Sequence, residues 1–343
     1  MRDLSTDNTM SVSEQKTAIA VLEQYDAPWT DIVLIQGGSI KTVWKIQSNK
    51  GPLCLKRLKQ SYDKALFSVN AQIYIKNSGG NVPGVIPNKK GEAITSFNDQ
   101  LFVLYEWIAG HDLDFDKPAD LKNALIGLAR FHNFSKGYAP ADESRISSKL
   151  GKWPEQYGSM LNKLSLWKET ARENIAQQNF SAYFNHTTAI IDIGRMALDE
   201  IKRSTYEELT SAGSNSIVLC HQDYGRGNAL LTGKGVCIID LDGVTFDLPI
   251  RDLRKIIGKK AENRNQWQME AINEITGWYE ESNPMSKEER KLLYIDLLFP
   301  HWYYGLVKNL FQAGKPVKAS EIERIAKLEL SKIPILKTLL IKE

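Results

Sequence analysis

Apolar positions cluster at helical spacing over Ala18, Ala20, Val21 and Leu22, preceded by Ser11 and Glu14 at capping-box spacing. The pattern predicts a first helix over 13–25. The period then drops to two. Asp31–Ile35, Lys41–Gln47 and Pro52–Leu58 read as strands, with Gly37-Gly38 and Asn49-Lys50-Gly51 as their turns. A helix is predicted over 62–78, stopping at Gly79-Gly80, and two further strands over Ala93–Ser96 and Gln100–Trp107.

After Ala109-Gly110 the texture changes to long helical stretches over 119–134, 155–178 and 181–211. A short β island follows at Ile217–Cys220, Ala229–Leu231 and Val236–Leu241. Helices are predicted again over 252–262, 265–281, 286–312 and 318–341; the mixed charges of the last, such as Glu321, Arg324 and Lys327, read as a solvated face. The expected fold class is α+β: a first lobe, 1–108, built on a small antiparallel sheet with a helix on it, and a mostly helical second lobe, 109–343.

Composition narrows the classes of function. The 343 residues are 42% hydrophobic and 25% charged, a globular balance that excludes disorder over most of the length. Lysine plus arginine number 44 against 41 acidic residues, and a net charge of +3 gives no reason to expect a nucleic-acid partner. No apolar run approaches the length of a membrane span, and Met1-Arg2-Asp3-Leu4-Ser5-Thr6-Asp7 lacks the apolar core of a signal peptide. Cys54, Cys220 and Cys237 are widely spaced, which suggests neither a disulfide framework nor a zinc ribbon and fits a reducing compartment of synthesis, the cytoplasm. Five histidines without an HExxH argue against a zinc hydrolase.

The chemistry concentrates in Cys220-His221-Gln222-Asp223-Tyr224-Gly225-Arg226-Gly227-Asn228. The run has the H-x-D-x-x-x-x-N spacing of a kinase catalytic loop, 221–228, between two apolar strand-like runs. Phosphoryl transfer needs a carboxylate to orient and deprotonate the acceptor hydroxyl, here Asp223, and an oxygen ligand for magnesium, here Asn228. Alone, the spacing is equally that of a polar turn. Twelve residues later an apolar strand over 236–242 leads to Asp240 and Asp242, where kinases place a metal-binding aspartate; Asp240 is the expected ligand and Asp242 a weaker one, for a second ion. The competing reading makes Asp242-Gly243 an ordinary turn and Asp240 a cap. Upstream, Lys56 lies on a strand as the phosphate-contacting lysine of kinases does. Gln36-Gly37-Gly38-Ser39 occupies the place of a phosphate-covering loop, though a hairpin turn explains it equally.

Other residues carry less. Residues 65–75 contain no glutamate to pair with Lys56, and Gln72 is the nearest polar substitute. His132 reads as a packed core histidine. Asp252, at the opening of a helix, reads equally as an N-cap. Phe299-Pro300-His301-Trp302-Tyr303-Tyr304 favours helix packing over an acceptor pocket. Lys56 and Asp240 are expected to converge within about 8 Å, since both must reach one triphosphate–metal group. An empty metal site would leave the Asp240 carboxylate uncompensated, so Asp240→Asn is expected to change apo stability by less than about 1 kcal/mol.

Taken together, His221-Gln222-Asp223, Asn228 and Ile239-Asp240-Leu241 resemble the choline kinase and aminoglycoside phosphotransferase superfamily, whose loop is typically H-G-D-x-x-x-x-N followed by I-D-F or I-D-L. Cys220-His221-Gln222-Asp223-Tyr224, Ile239-Asp240-Leu241-Asp242-Gly243, Phe246-Asp247-Leu248-Pro249-Ile250-Arg251-Asp252-Leu253 and Phe131-His132-Asn133-Phe134-Ser135-Lys136-Gly137-Tyr138 resemble more closely the CotS family of bacterial spore coat proteins. The resemblance spans most of residues 20–335. It implies a bilobal protein-kinase-like fold and a place in the spore coat among other coat proteins. It also implies ATP and Mg2+ as cofactors, with Asp223 as base, Asn228 and Asp240 on the metal, and Lys56 on the phosphates; Gly37, Gly38 and Ser39 are expected on the nucleotide from their place on the turn before the second strand. Two functions follow: phosphotransfer to a hydroxyl of a small molecule or coat component, or a structural coat protein that keeps the fold without turnover.

Overall fold

The computed structural model describes residues 11–37 and 42–342. In chain order the elements begin α1 (Val12–Leu22), β1 (Trp29–Gln36), β2 (Thr42–Ser48), β3 (Gly51–Leu58), α2 (Tyr62–Asn77), β4 (Val85–Ile86), β5 (Thr95–Phe97), β6 (Gln100–Glu106), β7 (His111–Asp112) and α3 (Pro118–Ser135). They continue with α4 (Trp153–Glu173), α5 (Gln178–Arg203), α6 (Tyr206–Leu209), β8 (Val218–Cys220), β9 (Ala229–Thr232), β10 (Gly235–Ile238) and β11 (Thr245–Asp247). The last helices are α7 (Ile250–Arg264), α8 (Met269–Glu280), α9 (Lys287–Leu298), α10 (His301–Phe311), α11 (Ala319–Ser331) and α12 (Ile333–Lys342). None is long and apolar enough to cross a membrane. The chain packs as two compact units: residues up to Ser147 together with Asp223–Val244, and Ser148–Gln222 together with the remainder from Thr245. This division by packing differs from the boundary expected near residue 109, because α3 packs on α2 and the segment 223–244 packs on α2 and α3.

In the first unit the sheet is antiparallel, in the order β1-β2-β3-β6-β4, with β5 also paired to β6. Alternation along β3 explains its two faces. Leu53 and Leu55 point to a core shared with Ala18, Val21 and Leu22 of α1 and with Trp44 and Ile46 of β2. The next positions over, Cys54 and Leu58, pack with Ala65 and Val69 of α2 and with Val103 and Tyr105 of β6. Lys56 belongs to this second face, opposite Val43 and Val103 in the ladder. The capping box expected for α1 is present, with the Glu14 amide donating to Ser11 Oγ at 3.1 Å. A second small sheet, β10-β9-β7, lies against α3. The contact is close enough that a Cβ on Gly127 would come within 2.7 Å of Val236, so that helix position requires glycine.

In the second unit α4 and α5 pair, α11 lies along α5, and α9 is buried on all sides from Leu292 to Leu298. The helix expected over 286–312 is two. It breaks at Phe299-Pro300, where the pyrrolidine ring turns the preceding residue out of helical conformation (φ −64°, ψ 137°). The stretch 318–341 also divides, at Lys332. Glu329 Oε1 accepts the amides of Trp302 and Tyr303, the first turn of α10, and Lys332 donates to Glu329 and to the Phe299 carbonyl. Phe299 and Tyr303 are fully buried, as expected of helix packing, and Phe299 stacks on Tyr157 with ring centroids 4.0 Å apart. The three cysteines are free thiols; burial pushes the Cys237 thiol up to about 12 and Cys220 well above its ordinary value.

His301 in this unit is a source of acid sensitivity. Burial, reinforced by the Arg254 guanidinium and only partly opposed by Asp296, lowers its pKa to about 4. The unfolded chain takes up this proton near pH 6.5 and the folded chain only near 4, so stability falls as pH drops through that window, by up to about 3 kcal/mol. The melting temperature of the wild type is expected to fall more between pH 7 and 4.5 than that of His301→Gln. Parallel melting curves for the two proteins would refute this.

Candidate active site

The catalytic-loop residues are held by a hairpin. Ladder pairing of β9 with β10 sets Ala229 opposite Ile238, and one step further the Ile239 amide donates to the Asn228 carbonyl at 3.1 Å. The twelve-residue separation of Asn228 and Asp240 is therefore the length of one hairpin. Asn228 Nδ2 donates to the main-chain carbonyl of Asp223 at 2.8 Å and its amide to the Gly225 carbonyl at 3.0 Å, closing the loop. Tyr224 pins this loop to α3 through its hydroxyl, 2.7 Å from the Ala124 carbonyl. Asp223 itself is exposed. The strand ends at Ile238, earlier than expected. Asp240 stands two residues beyond it in left-handed conformation (φ 66°, ψ 57°), followed by a single 3₁₀ turn, Leu241–Gly243. It makes no capping hydrogen bond to that turn. A non-glycine residue in this region is strained, which the surrounding contacts must offset.

Those contacts centre on Lys56. Its ammonium lies 2.8 Å from Asp240 Oδ1 and 2.5 Å from Asp242 Oδ2, although 184 positions separate Lys56 from Asp240. The lysine side chain is 7% exposed, against 25% and 36% for the two aspartates. Burial alone would pull the ammonium down; Asp242 and Asp240 outweigh it and hold the pKa above the ordinary lysine value. Two sequence expectations change. Gln72 does not serve Lys56, since its Nε2 donates to the Pro83 carbonyl at 2.7 Å inside the α2 packing. Nor is Asp240 uncompensated: Asp240→Asn removes one of two partners from a buried ammonium, so the reason for expecting a near-neutral effect does not hold. Gly37 is exposed at the end of β1, where a Cβ would meet Leu34 at 3.2 Å; Gly38 and Ser39 lie outside the described residues.

Comparison with known proteins defines the group. Residues 39–332 match the sequence model of the family described as "Spore coat putative kinase YutH". The chain belongs to this family. Spore coat protein S of Bacillus subtilis strain 168 is 23% identical over 308 residues, 90% of this chain and 88% of that one. In three dimensions this YutH-family chain is similar to an aminoglycoside phosphotransferase from Alicyclobacillus acidocaldarius, with a TM-score of 0.72 at 16% identity, over 94% of this chain and 95% of that one. It is also similar to amicoumacin kinase, solved with AMP-PNP, Ca2+ and Ami, with a TM-score of 0.61 at 15% identity over 95% and 97% of the two chains. The fold is the α+β fold of kinase-like phosphotransferases.

The YutH-family chain carries Gln222 where the phosphotransferase loop typically has glycine, and the backbone explains the glycine. Gln222 has φ 71°, a conformation costing a non-glycine residue roughly 1–2 kcal/mol. Several contacts hold it. Arg251 Nε donates to Gln222 Oε1 at 2.9 Å, and Lys255 donates to its carbonyl. The Asp252 carboxylate accepts the amides of both His221 (2.6 Å) and Gln222 (3.0 Å). Asp252 is therefore the anchor of the residues preceding Asp223, a role that sequence spacing did not distinguish from a helix cap. It lies in the first turn of α7, but its acceptors face a segment thirty positions upstream, and only the tertiary fold brings them together.

Proposed function

We propose that this spore coat family member is an ATP- and Mg2+-dependent phosphotransferase acting on a hydroxyl of a small molecule or a coat component. The observation that supports it most is the meeting of Lys56 with Asp240 and Asp242 beside the Asn228 hairpin. In this reading residues 1–108 form the nucleotide side, with Gly37, Gly38 and Ser39 near the phosphates, and 109–343 carry the loop and the metal segment. The carboxylates of Asp240 and Asp242 and Oδ1 of Asn228 are hard oxygen donors of the kind Mg2+ prefers, so the residues present fit the ion. The bound ion would neutralise phosphate charge. Lys56 would bind phosphate oxygens, and Asp223 would orient the acceptor hydroxyl and take its proton. Val33, Val43 and Cys54 share the sheet face of Lys56 and offer apolar contact to a base. The protein would act in the spore coat with other coat proteins as neighbours, after synthesis in the cytoplasm.

A second reading, a coat component without turnover, is favoured by one feature: α2 supplies no carboxylate to Lys56, whose charge partners among the described residues, Asp240 and Asp242, both come from the segment that would hold metal. Thermal unfolding with ATP and Mg2+ separates the two. A ligand at a hundred times its Kd stabilises the native state by about 2.7 kcal/mol, so a clear rise in melting temperature is expected that neither ATP nor Mg2+ alone produces. Unchanged melting at millimolar MgATP would favour the structural reading.

A further inference from the structure

We infer that Lys56 is the resident cation of the Asp240–Asp242 pair, and that a divalent ion enters this site only when a polyphosphate draws the ammonium away. The inference rests on the metal-site half of the proposed function. Its basis is geometric. One ammonium contacts both carboxylates, at 2.8 and 2.5 Å, and therefore already holds the two groups that would ligate an ion. The lysine is buried while both aspartates are partly open to solvent, so the cation sits on the inner side of the pair.

Among the described residues the lysine has no other carboxylate partner. Its ladder neighbours Val43 and Val103 are apolar, and α2 offers no glutamate over 65–75. Gln72 is committed to the Pro83 carbonyl. A divalent ion arriving alone would meet two carboxylates already neutralised by half and a positive charge within 3 Å of each. Displacing the ammonium without a substitute anion would leave a buried charge unpaired, a costly state. A triphosphate supplies that anion. Metal and nucleotide would therefore bind together, and the ligand-free protein would hold its own site closed.

Mn2+ binding to the full chain, followed by the electron paramagnetic resonance signal of the free ion, tests this without any turnover. Wild type without nucleotide is expected to bind Mn2+ weakly. Lys56→Met should bind it at least about tenfold more tightly, and Lys56→Met with Asp242→Asn should lose that gain. Circular dichroism establishes that each variant is folded; should Lys56→Met not fold, Lys56→Gln, which retains a donor and the polar tip, takes its place. Equal Mn2+ affinity in wild type and the folded lysine variant overturns the inference, as does a gain that survives removal of Asp242. A gain in the variant without any stabilisation of wild type by MgATP would uphold the lysine as resident cation and remove the phosphotransfer reading instead.

Discussion

Asp223→Ala is expected to lower phosphotransfer by roughly 10²–10⁴-fold, the range typical of removing a general base, while leaving ATP affinity within about twofold. The asymmetry follows from the assigned role: the base touches the acceptor hydroxyl and not the phosphates. The substitution also preserves the closure of the loop. The loop closes through the main-chain carbonyl of Asp223, which accepts Asn228 Nδ2 at 2.8 Å, and alanine retains that carbonyl. Tyr224 keeps its hydroxyl on Ala124. The measurement is Mg2+-dependent transfer from ATP with an acceptor found by a broad metabolite screen, alongside ATP titration of both proteins. Loss of ATP binding in Asp223→Ala would place this carboxylate on the nucleotide side and contradict the role. If wild type and variant are equally inactive across the screen, and spores carrying Asp223→Ala assemble a normal coat, the structural reading is the better one.

Much of this site could be read from the chain because its parts are local. The alternation around Lys56 gives a strand, and the capping box at Ser11 and Glu14 gives the start of α1. The spacing of Asn228 and Asp240 is set by a single hairpin. What escaped is what only distant packing decides. Nothing near Lys56 in sequence indicates that Asp242 is its partner as fully as Asp240. Gln72 is at a plausible helical position, yet its amide turns to Pro83. Asp252 resembles a cap because it is an aspartate in a first helical turn; its loop-anchoring role depends on His221 and Gln222 arriving from thirty positions away. β4, β7 and β11 have two or three residues each, too short for alternation to register. The break at Pro300 was legible in principle, since proline disfavours helix in the residue before it.

Asp296→Ala is expected to cost about 3–5 kcal/mol, the range for stripping one partner from a buried ion pair, and thus a large share of a total stability of about 5–15 kcal/mol. Asp296 is fully buried on α9. Its Oδ1 receives Arg254 Nη1 at 3.0 Å, the His301 ring nitrogen at 2.8 Å and the Tyr157 hydroxyl. Burial alone would push this carboxyl up; Arg254 and His301 outweigh it and hold it well below the usual carboxylate range. Asp296 is the only carboxylate in contact with Arg254 among the described residues, so alanine there leaves a guanidinium buried and unpaired. The network is not fully satisfied even in the wild type, since Arg254 Nε and Asp296 Oδ2 have no hydrogen-bond partner. Replacing both groups by apolar residues of similar size removes that burden along with the pair. The double variant Asp296→Leu with Arg254→Met is therefore expected to recover most of what Asp296→Ala loses. Denaturant unfolding of wild type, Asp296→Ala, the single variants Asp296→Leu and Arg254→Met, and the double variant measures this. A loss below about 1 kcal/mol in Asp296→Ala, or a double variant no more stable than the worse single one, would mean that the charges are not coupled as their geometry indicates.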